Sequence, residues 1–438
     1  MLAPADFNAP SHNQERAVSP NTNWRVCAVV LLLFVLAATL AAVRKDVTRG
    51  FDEVAHASYI AHLQHTGEIW PAFKDMRMLD PSSFRFTSEL NYLDHASPYY
   101  VLLARLGPNL ESHPEATLVH RLFNVVLAAI GLAALMAIGL VAGLPRLTLY
   151  AYIVPLAAIP VLAPLAGAIN NDNAAFAGGG IATLAALQLL ATGSRAWLLA
   201  ALGGVIVASW AKFTALLLVG GLVAGVLLWL LWRGRLPARW IGLIAIAALL
   251  AVAPYVALIA QYGSPAPRTP GQISELQDGA HVVGWDSAER MSPLAFVANF
   301  VSEFVLEWMP TLKPRNALNY AVLAIPITAA LCAFAGVLVA GRRIAHGKEE
   351  PLDIVIAAGA LAFAVTFVLH GIFSYQLYTE FSWLTSAYPR YYLPLAALFP
   401  LAGLSLLGAI KQPRARAILV VFLIAGPVVF RLLGEPLG

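Results

Sequence analysis

Charged side chains are scarce in this chain of 438 residues. Asp, Glu, Lys and Arg make up 12% of it, whereas a typical soluble domain contains about 25%. A soluble fold of this size could not cover its surface with so few charges, which excludes a soluble enzyme, a disordered protein and a nucleic-acid-binding protein. The 28 Lys and Arg residues nearly balance the 24 Asp and Glu residues, so the net charge points to no partner.

The chain also has little cysteine and no strong metal-binding motif. Cys27 and Cys332 both lie in apolar runs, where cysteine is typical of a small buried hydrophobic residue and not of a disulfide or metal site. Four histidines near the N-terminus lack the spacing of a motif such as H-E-x-x-H, so the sequence favours surface or core histidines. They are His56, His62, His65 and His95.

What remains is the composition of a helical membrane protein, with 59% hydrophobic residues and a mean hydropathy of +0.72. Residues 1–23 are polar and are predicted to form a disordered cytoplasmic tail. The apolar run 24–43 has about 20 residues, enough to cross a bilayer, and is longer than the core of a cleaved signal peptide. We therefore expect it to remain as the first helix of a single transmembrane domain, 24–438.

Ten further apolar runs predict eleven transmembrane helices in all. They lie at 24–43, 119–142, 146–166, 173–191, 196–211, 213–232, 238–260, 318–340, 353–373, 389–409 and 416–432. Only a polar step at Lys212 separates 196–211 from 213–232, so these two spans are the least distinct. With the N-terminus in the cytoplasm, nearly every short inner loop carries Lys or Arg, as the positive-inside rule requires.

Acidic residues instead concentrate in two outer segments, at about 44–116 and 261–316. The second segment contains an amphipathic helix over Pro293–Trp308, with Phe296, Phe300, Phe304 and Trp308 at helical spacing. This stripe is expected either in the membrane interface or packed on the outer ends of other helices. The first segment is too long to be a simple connection, which predicts a functional role for it.

The start of the first outer segment carries the candidate chemistry. In a helix after the first span, Asp52 and His56 share one face, and Asp52 and Glu53 stand at its N-terminus. Acids at a helix N-terminus are also common without catalysis, because the helix dipole favours them there. Further on, Pro98 and Tyr99 are typical of a helix that starts at the membrane–water interface. That structural interpretation does not account for His95.

Five short segments on the predicted outer side extend this pattern along the chain. They are Phe51-Asp52-Glu53-Val54-Ala55-His56, His95-Ala96-Ser97-Pro98-Tyr99-Tyr100, Asn170-Asn171-Asp172, Trp210-Ala211-Lys212-Phe213-Thr214 and Pro389-Arg390-Tyr391-Tyr392-Leu393-Pro394. In content and order they resemble the polytopic glycosyltransferases of the GT-C fold, in the branch of protein O-mannosyltransferases and bacterial aminoarabinose transferases. Ala96-Ser97 departs from the usual His-Pro-Pro-type segment of that branch.

The resemblance implies a donor sugar carried on a polyprenyl phosphate, with its head group on the outer side. It makes Asp52 the general base and Glu53 the neighbouring acid and the fallback for that role. An acceptor hydroxyl is a poor nucleophile near neutral pH, and a positioned carboxylate can take its proton as the new bond forms.

Lys212, Arg390 and Tyr391 are the candidates for binding the lipid phosphate, because loss of that phosphate leaves negative charge that a cation must stabilise. Lys212 could instead extend to the interface, and Arg390 could anchor the start of a helix. His56, His95, Tyr99 and Asp172 are candidates for contacting the acceptor or shaping the site.

Asp172 has a second interpretation, which the sequence favours. Asn170-Asn171-Asp172 is typical of a helix N-cap, where Asn and Asp accept hydrogen bonds from free helical N–H groups. In the functional interpretation, Asp172 would act near the donor phosphate through a divalent cation such as Mg or Mn. The sequence identifies no complete set of metal ligands.

The predicted function is transfer of a sugar to an outer-face acceptor at a bacterial inner membrane. The acceptor is a glycan, a lipid or a protein, and the sequence identifies neither it nor the sugar. One alternative is a transporter or flippase of lipid-linked sugars, which would need polar residues in mid-span that these spans nearly lack. Another is a membrane-anchored binding subunit without catalytic turnover.

Overall fold

The computed structural model describes residues 20–277, 291–306, 317–381, 384 and 388–434. Within these ranges the chain is almost entirely helical. The helices are α1 Pro20–Arg44, α2 Glu53–Thr66, α3 Pro98–Leu106, α4 Thr117–Val141, α5 Arg146–Ala157, α6 Leu162–Ala166, α7 Asp172–Thr192, α8 Arg195–Ala211, α9 Phe213–Trp232, α10 Ala238–Tyr262, α11 Pro270–Gln277, α12 Pro293–Leu306, α13 Ala317–Ala345, α14 Pro351–Phe381, α15 Leu398–Ala409 and α16 Pro413–Gly434. Short 3₁₀ turns lie at Phe73–Asp75, Pro114–Ala116 and Pro389–Leu395.

The predicted polytopic helical architecture is confirmed. Eight helices of the described ranges are long and apolar enough to cross a membrane, and the pair Pro389–Leu395 and Leu398–Ala409, bent by 60°, brings the number to nine. The two other predicted spans are a shorter helix, Arg195–Ala211, and a stretch divided into α5 and α6. The count of eleven therefore stays a prediction.

The predicted N-terminal tail lies mostly outside the described residues. Helix α1 begins at Pro20 and so includes the last residues of that segment, while the tail itself stays a prediction. The polar residues 20–23 add about one turn to the apolar run that follows them.

Helix α7 lies at the centre of the bundle, and three consecutive glycines make this possible. A side chain at Gly178 would collide with the backbone of α8, one at Gly179 with Pro394, and one at Gly180 with Gly131 of α4. Three elements therefore approach the α7 backbone closely on three sides, as small residues allow between membrane helices. This packing fixes the N-terminus of α7 relative to α4, α8 and the turn Pro389–Leu395.

The first outer segment is folded and not an extended loop. It consists of α2, an antiparallel hairpin of strands β1 Arg77–Leu79 and β2 Phe86–Leu90, and α3. Tyr59 of α2 and Tyr100 of α3 are buried and stacked, with ring centroids 4.0 Å apart. A buried aromatic pair of this kind fixes the two helices against each other.

The aromatic stripe of the second outer segment packs against helix α14, as the second of its two interpretations expected. Phe296 lies 5.5 Å from Tyr378 of α14, and Phe300 lies 5.2 Å from Phe367, measured between ring centroids. Phe296 and Phe300 are buried by these contacts. Residues 278–290 and 307–316, including the expected stripe member Trp308, lie outside the described residues.

Candidate functional site

Asp52 stands at the end of an unusual turn between α1 and α2. Gly50, Phe51 and Asp52 adopt left-handed backbone conformations in succession, with φ of 77°, 64° and 57°. For a residue with a side chain this costs about 1–2 kcal/mol, so the surrounding structure must hold it. The turn leaves the Asp52 side chain 41% exposed at the start of α2.

Arg390 connects Asp52 with Asp172. Its Nη2 donates a 2.7 Å hydrogen bond to Asp52 Oδ2, and its Nε lies 3.8 Å from Asp172 Oδ2. Tyr92 donates to the other Asp52 oxygen, Oδ1, at 3.3 Å. The arginine side chain is only 14% exposed. Each Asp52 oxygen therefore has one hydrogen-bond partner, and 41% of the side chain remains exposed.

Lys212 lies on the far side of Asp172. Its Nζ donates a 2.8 Å hydrogen bond to Asp172 Oδ1 and sits 3.4 Å from the centre of the Tyr391 ring. The lysine backbone is extended between α8 and α9, which places its side chain at the break between two helices. The result is a row of alternating charges, Asp52, Arg390, Asp172 and Lys212, which we call the charge row.

This placement changes two earlier interpretations. The Asp172 side chain contacts two cations, while Asn170 Oδ1 accepts the Asp172 backbone N–H at 2.8 Å. Asp172 is therefore the first residue of α7 and its side chain does not cap the helix. The N-cap position belongs to Asn171, and Asn170 Oδ1 binds the first helical N–H. Lys212, with a side chain 10% exposed and paired with a buried acid, does not extend to the interface.

Glu53 is enclosed in a second cluster of charges. Its side chain is fully buried, and its two oxygens accept 2.7 Å and 3.0 Å hydrogen bonds from Arg121 of α4. Lys45 Nζ lies 3.3 Å away, and the Ile169 backbone N–H donates at 2.9 Å. Burial lowers the pKa of Lys45, and the adjacent Glu53 partly opposes this shift. Each Glu53 oxygen thus accepts from two donors, whereas each Asp52 oxygen has one and the Asp52 side chain stays 41% exposed.

Arg121 also binds the end of the first span. Its Nη1 donates to the carbonyls of Ala42 at 2.9 Å and Lys45 at 2.8 Å. Carbonyls at a helix C-terminus lack helical partners, and a cation beside them is favourable. The Glu53–Arg121 pair therefore ties α1, α2 and α4 together beneath the turn that carries Asp52.

His56 is buried behind the same turn. Asn170 Nδ2 donates to His56 Nε2 at 3.1 Å, and His56 Nδ1 lies 2.8 Å from the Tyr100 hydroxyl. Burial lowers the pKa of His56 well below its usual 6.5, and the neighbouring cations lower it further. A neutral imidazole that accepts at Nε2 carries its proton on Nδ1. His56 thus supports the site from behind.

His95 and Tyr99 occupy different surroundings. His95 Nδ1 lies 3.2 Å from Asp94 Oδ1, and its ring stacks over His56 at 5.9 Å. Tyr99 donates its hydroxyl hydrogen to Asn124 Oδ1 of α4 at 2.8 Å and is buried. His95 therefore lies beside the site, whereas the contacts of Tyr99 join α3 to α4.

A cavity of about 420 Å³ adjoins the charge row. Lys212 and Tyr391 form part of its wall, and Asp94 and His95 of the first outer segment form another part. Most of the rest is apolar and comes from α9, α10 and α14, including Leu217, Tyr255, Leu369, Phe373 and Leu377. The second outer segment adds a polar part of the wall with Arg268 and Gln272. A cation at the wall of a largely apolar cavity suits a ligand with an anionic head and a hydrocarbon tail.

The described residues do not fit a divalent metal ion. They contain no group of three or more His, Cys, Asp or Glu side chains that could hold one. Asp172, the acid expected to bind such an ion, has Lys212 and Arg390 as partners instead.

The sequence did not identify Arg121, Asn170 or His370 as site residues, although Asn170 lies in one of the five segments. Arg121 is a charged residue at the start of a predicted span, which by itself demands a buried partner. His370 lines the cavity, and its Nδ1 lies 3.0 Å from the Tyr392 hydroxyl. The partners were not visible because they lie far away in sequence.

Comparison with known proteins identifies the fold. No protein-family model matches the chain, and no curated protein matches it in sequence. The structure is similar to that of ArnT from Cupriavidus metallidurans bound to undecaprenyl phosphate, with a TM-score of 0.50 and 16% identity, covering 91% of this chain and 62% of that one. ArnT in the apo state gives a TM-score of 0.49 and 16% identity, covering 92% and 62%.

This chain thus spans less than two thirds of the length of ArnT. At 16% identity the similarity shows the fold alone. ArnT is an aminoarabinose transferase of the GT-C fold, so the fold expected from the five sequence segments is confirmed.

Proposed function

We propose, on the premise of this shared fold, that the chain is an integral-membrane glycosyltransferase whose donor is a sugar linked to polyprenyl phosphate. The observation that carries the proposal is the charge row: Arg390 is shared by Asp52 and Asp172, and Asp172 holds Lys212 at the cavity wall. A half-exposed carboxylate beside two buried cations supplies the groups that acid–base chemistry next to a lipid phosphate requires.

The lipid partner follows from the chemistry of the cavity. Lys212 offers a cation for a phosphate, and the apolar walls beyond it suit a polyprenyl chain. ArnT, which shares the fold, has a structure bound to undecaprenyl phosphate, and this agrees with a polyprenyl-phosphate ligand here. Tyr391 lines the same wall, and its ring makes a cation–π contact with the Lys212 ammonium.

In the proposed reaction one bond forms and one breaks. The acceptor hydroxyl oxygen attacks C1 of the donor sugar, and the hydroxyl proton moves to the Asp52 carboxylate. The bond from C1 to the phosphate oxygen breaks, and its electron pair leaves with the polyprenyl phosphate. Attack opposite the leaving group inverts the anomeric centre, while Lys212 and Arg390 stabilise the charge on the phosphate.

Glu53 has a different task in this proposal. Its carboxylate accepts from Arg121 and the Ile169 backbone and contacts Lys45, so it has no free oxygen to take a proton. We assign Glu53 to holding the turn that presents Asp52, and Asp52 to proton transfer.

We place the N-terminus in the cytoplasm and the charge row at the outer face of a bacterial inner membrane, where a glycan, lipid or protein acceptor is met. The basic short loops support this orientation. In cells that produce a C27A/C332A protein, a cysteine at exposed Ser82 should react with an impermeant maleimide from outside, and one at Ser194 should not. The reverse labelling would overturn the orientation.

Turnover of a lipid-linked donor tests the function itself. The purified protein is incubated with undecaprenyl-phosphate-linked sugars, each alone and with candidate acceptors, and released undecaprenyl phosphate is measured by mass spectrometry. We expect release with at least one donor. Movement of an intact donor across reconstituted vesicles without release would indicate a flippase, and binding without any turnover would indicate a binding subunit.

A further inference from the structure

Asn170 connects both acids of the charge row through one buried amide. Its Nδ2 donates to the Phe51 carbonyl at 2.8 Å and to His56 at 3.1 Å, and its Oδ1 accepts from the Asp172 N–H at 2.8 Å. Phe51 immediately precedes Asp52 in the left-handed turn. The amide therefore fixes the turn of Asp52 to the first residue of α7.

Asn171, the next residue, points to the other half of the site. Its Nδ2 donates a 2.8 Å hydrogen bond to the carbonyl of Ala211, the residue before Lys212. This carbonyl lies at the end of α8, where the chain becomes extended. Asn171 is fully buried, so the loss of this bond would leave a backbone group without its partner.

Asn173 gives a comparison within the same turn of helix. It is equally buried, and its Nδ2 donates to Asn124 Oδ1 at 3.2 Å and to the Leu165 carbonyl at 3.0 Å. It also donates to the carbonyls of Asn170 at 3.3 Å and Ala168 at 3.4 Å. None of these bonds reaches the turn of Asp52 or the end of α8 before Lys212. The three amides thus have similar burial but different targets.

We propose that Asn170 and Asn171 are positioning residues with separate tasks. Asn170 sets the place of Asp52, and Asn171 sets the place of Lys212. This inference rests on the proposed function, because it assigns the two asparagines to the base and to the donor-phosphate side of one reaction. Loss of Asn170 impairs proton transfer, whereas loss of Asn171 impairs binding of the lipid phosphate.

The test compares Asn170→Leu, Asn171→Leu and the matched control Asn173→Leu, which change neither charge nor side-chain size greatly. Hydrogen exchange followed by mass spectrometry reports on segments 46–58 and 207–216, and undecaprenyl phosphate serves as the binding probe. Donor turnover is measured with whichever sugar donor the unsubstituted protein uses.

We expect Asn170→Leu to accelerate exchange in 46–58 and to lower kcat about tenfold or more, with affinity for undecaprenyl phosphate within about twofold. We expect Asn171→Leu to accelerate exchange in 207–216 and to weaken that affinity about tenfold. Asn173→Leu should lower the unfolding temperature without either pattern.

The inference is overturned if the first two variants give the same exchange pattern, or if Asn173→Leu reproduces it. Failure of the unsubstituted protein to bind undecaprenyl phosphate would instead contradict the proposed function. The hydrogen-exchange data test whether Asn170 and Asn171 hold segments 46–58 and 207–216, whether or not the protein binds undecaprenyl phosphate.

Discussion

Arg390 donates a 2.7 Å hydrogen bond to Asp52, although 338 residues separate them along the chain. The pair joins the first outer segment to the bent span near the C-terminus. Because Arg390 also approaches Asp172, one guanidinium holds two carboxylates from different helices in a fixed arrangement. The site therefore exists only once the whole bundle has packed.

Replacement of Arg121 by Leu should destabilise the protein strongly. The substitution leaves the buried Glu53 with a single cationic partner, Lys45, and breaking a buried ion pair costs about 3–5 kcal/mol. We expect a clearly lower unfolding temperature in detergent. The exposed Arg49, in the same outer segment, provides the control, and Arg49→Leu should change the free energy of unfolding by about 0.5 kcal/mol or less. Equal stability of both variants would contradict the role of the Glu53–Arg121 pair.

Replacement of Lys212 by Met should weaken binding of undecaprenyl phosphate about ten- to a hundredfold. This is the range expected for loss of a hydrogen bond from a charged donor. Titration of the purified protein with the lipid phosphate measures the change, and Lys212→Arg, which keeps the charge, should lose less. The control is Lys348→Met in the exposed loop between α13 and α14. An unchanged affinity in Lys212→Met would place the phosphate elsewhere.

Acidification should destabilise the protein through His56. Burial and nearby cations, including His95 when protonated and Lys212, lower the pKa of His56 well below 6.5. Since the unfolded chain takes up a proton near pH 6.5 and the folded chain does not, the free energy of unfolding falls as the pH drops below about 6.5.

The variant His56→Gln tests this pH dependence, because glutamine can keep both hydrogen bonds and does not titrate. Unfolding temperatures between pH 5 and pH 7 should fall less steeply in His56→Gln than in the unsubstituted protein. Some slope remains, since burial also lowers the pKa of His62. Parallel slopes for the two proteins would show that His56 does not carry the effect.

The fold class and the members of the charge row were accessible from the sequence. Hydropathy and the scarcity of charge predict the spans, and a charge at the end of an apolar run stands out, as Lys212 and Arg390 do. Their partners were not accessible, because pairing depends on which helix ends meet in space. Sequence spacing could not separate the exposed Asp52 from the fully buried Glu53 beside it.

The N-terminus of α7 shows a further limit. The segment Asn170-Asn171-Asp172 predicted a helix cap, and Asn171 holds the N-cap position, but the side chain that binds the first helical N–H is that of Asn170. The direction of the Asp172 side chain depends on Lys212, which lies 40 residues away. Local preferences therefore placed the helix start correctly and could not assign its polar side chains.

The most direct test of the central claim is donor turnover by Asp52→Asn. Asparagine keeps the shape of the side chain but cannot take the acceptor proton, so we expect turnover to fall about a hundredfold or more. The variant should still fold and bind undecaprenyl phosphate, because Lys212 and the cavity are unchanged. Full turnover by Asp52→Asn would remove Asp52 from the chemistry and contradict the account.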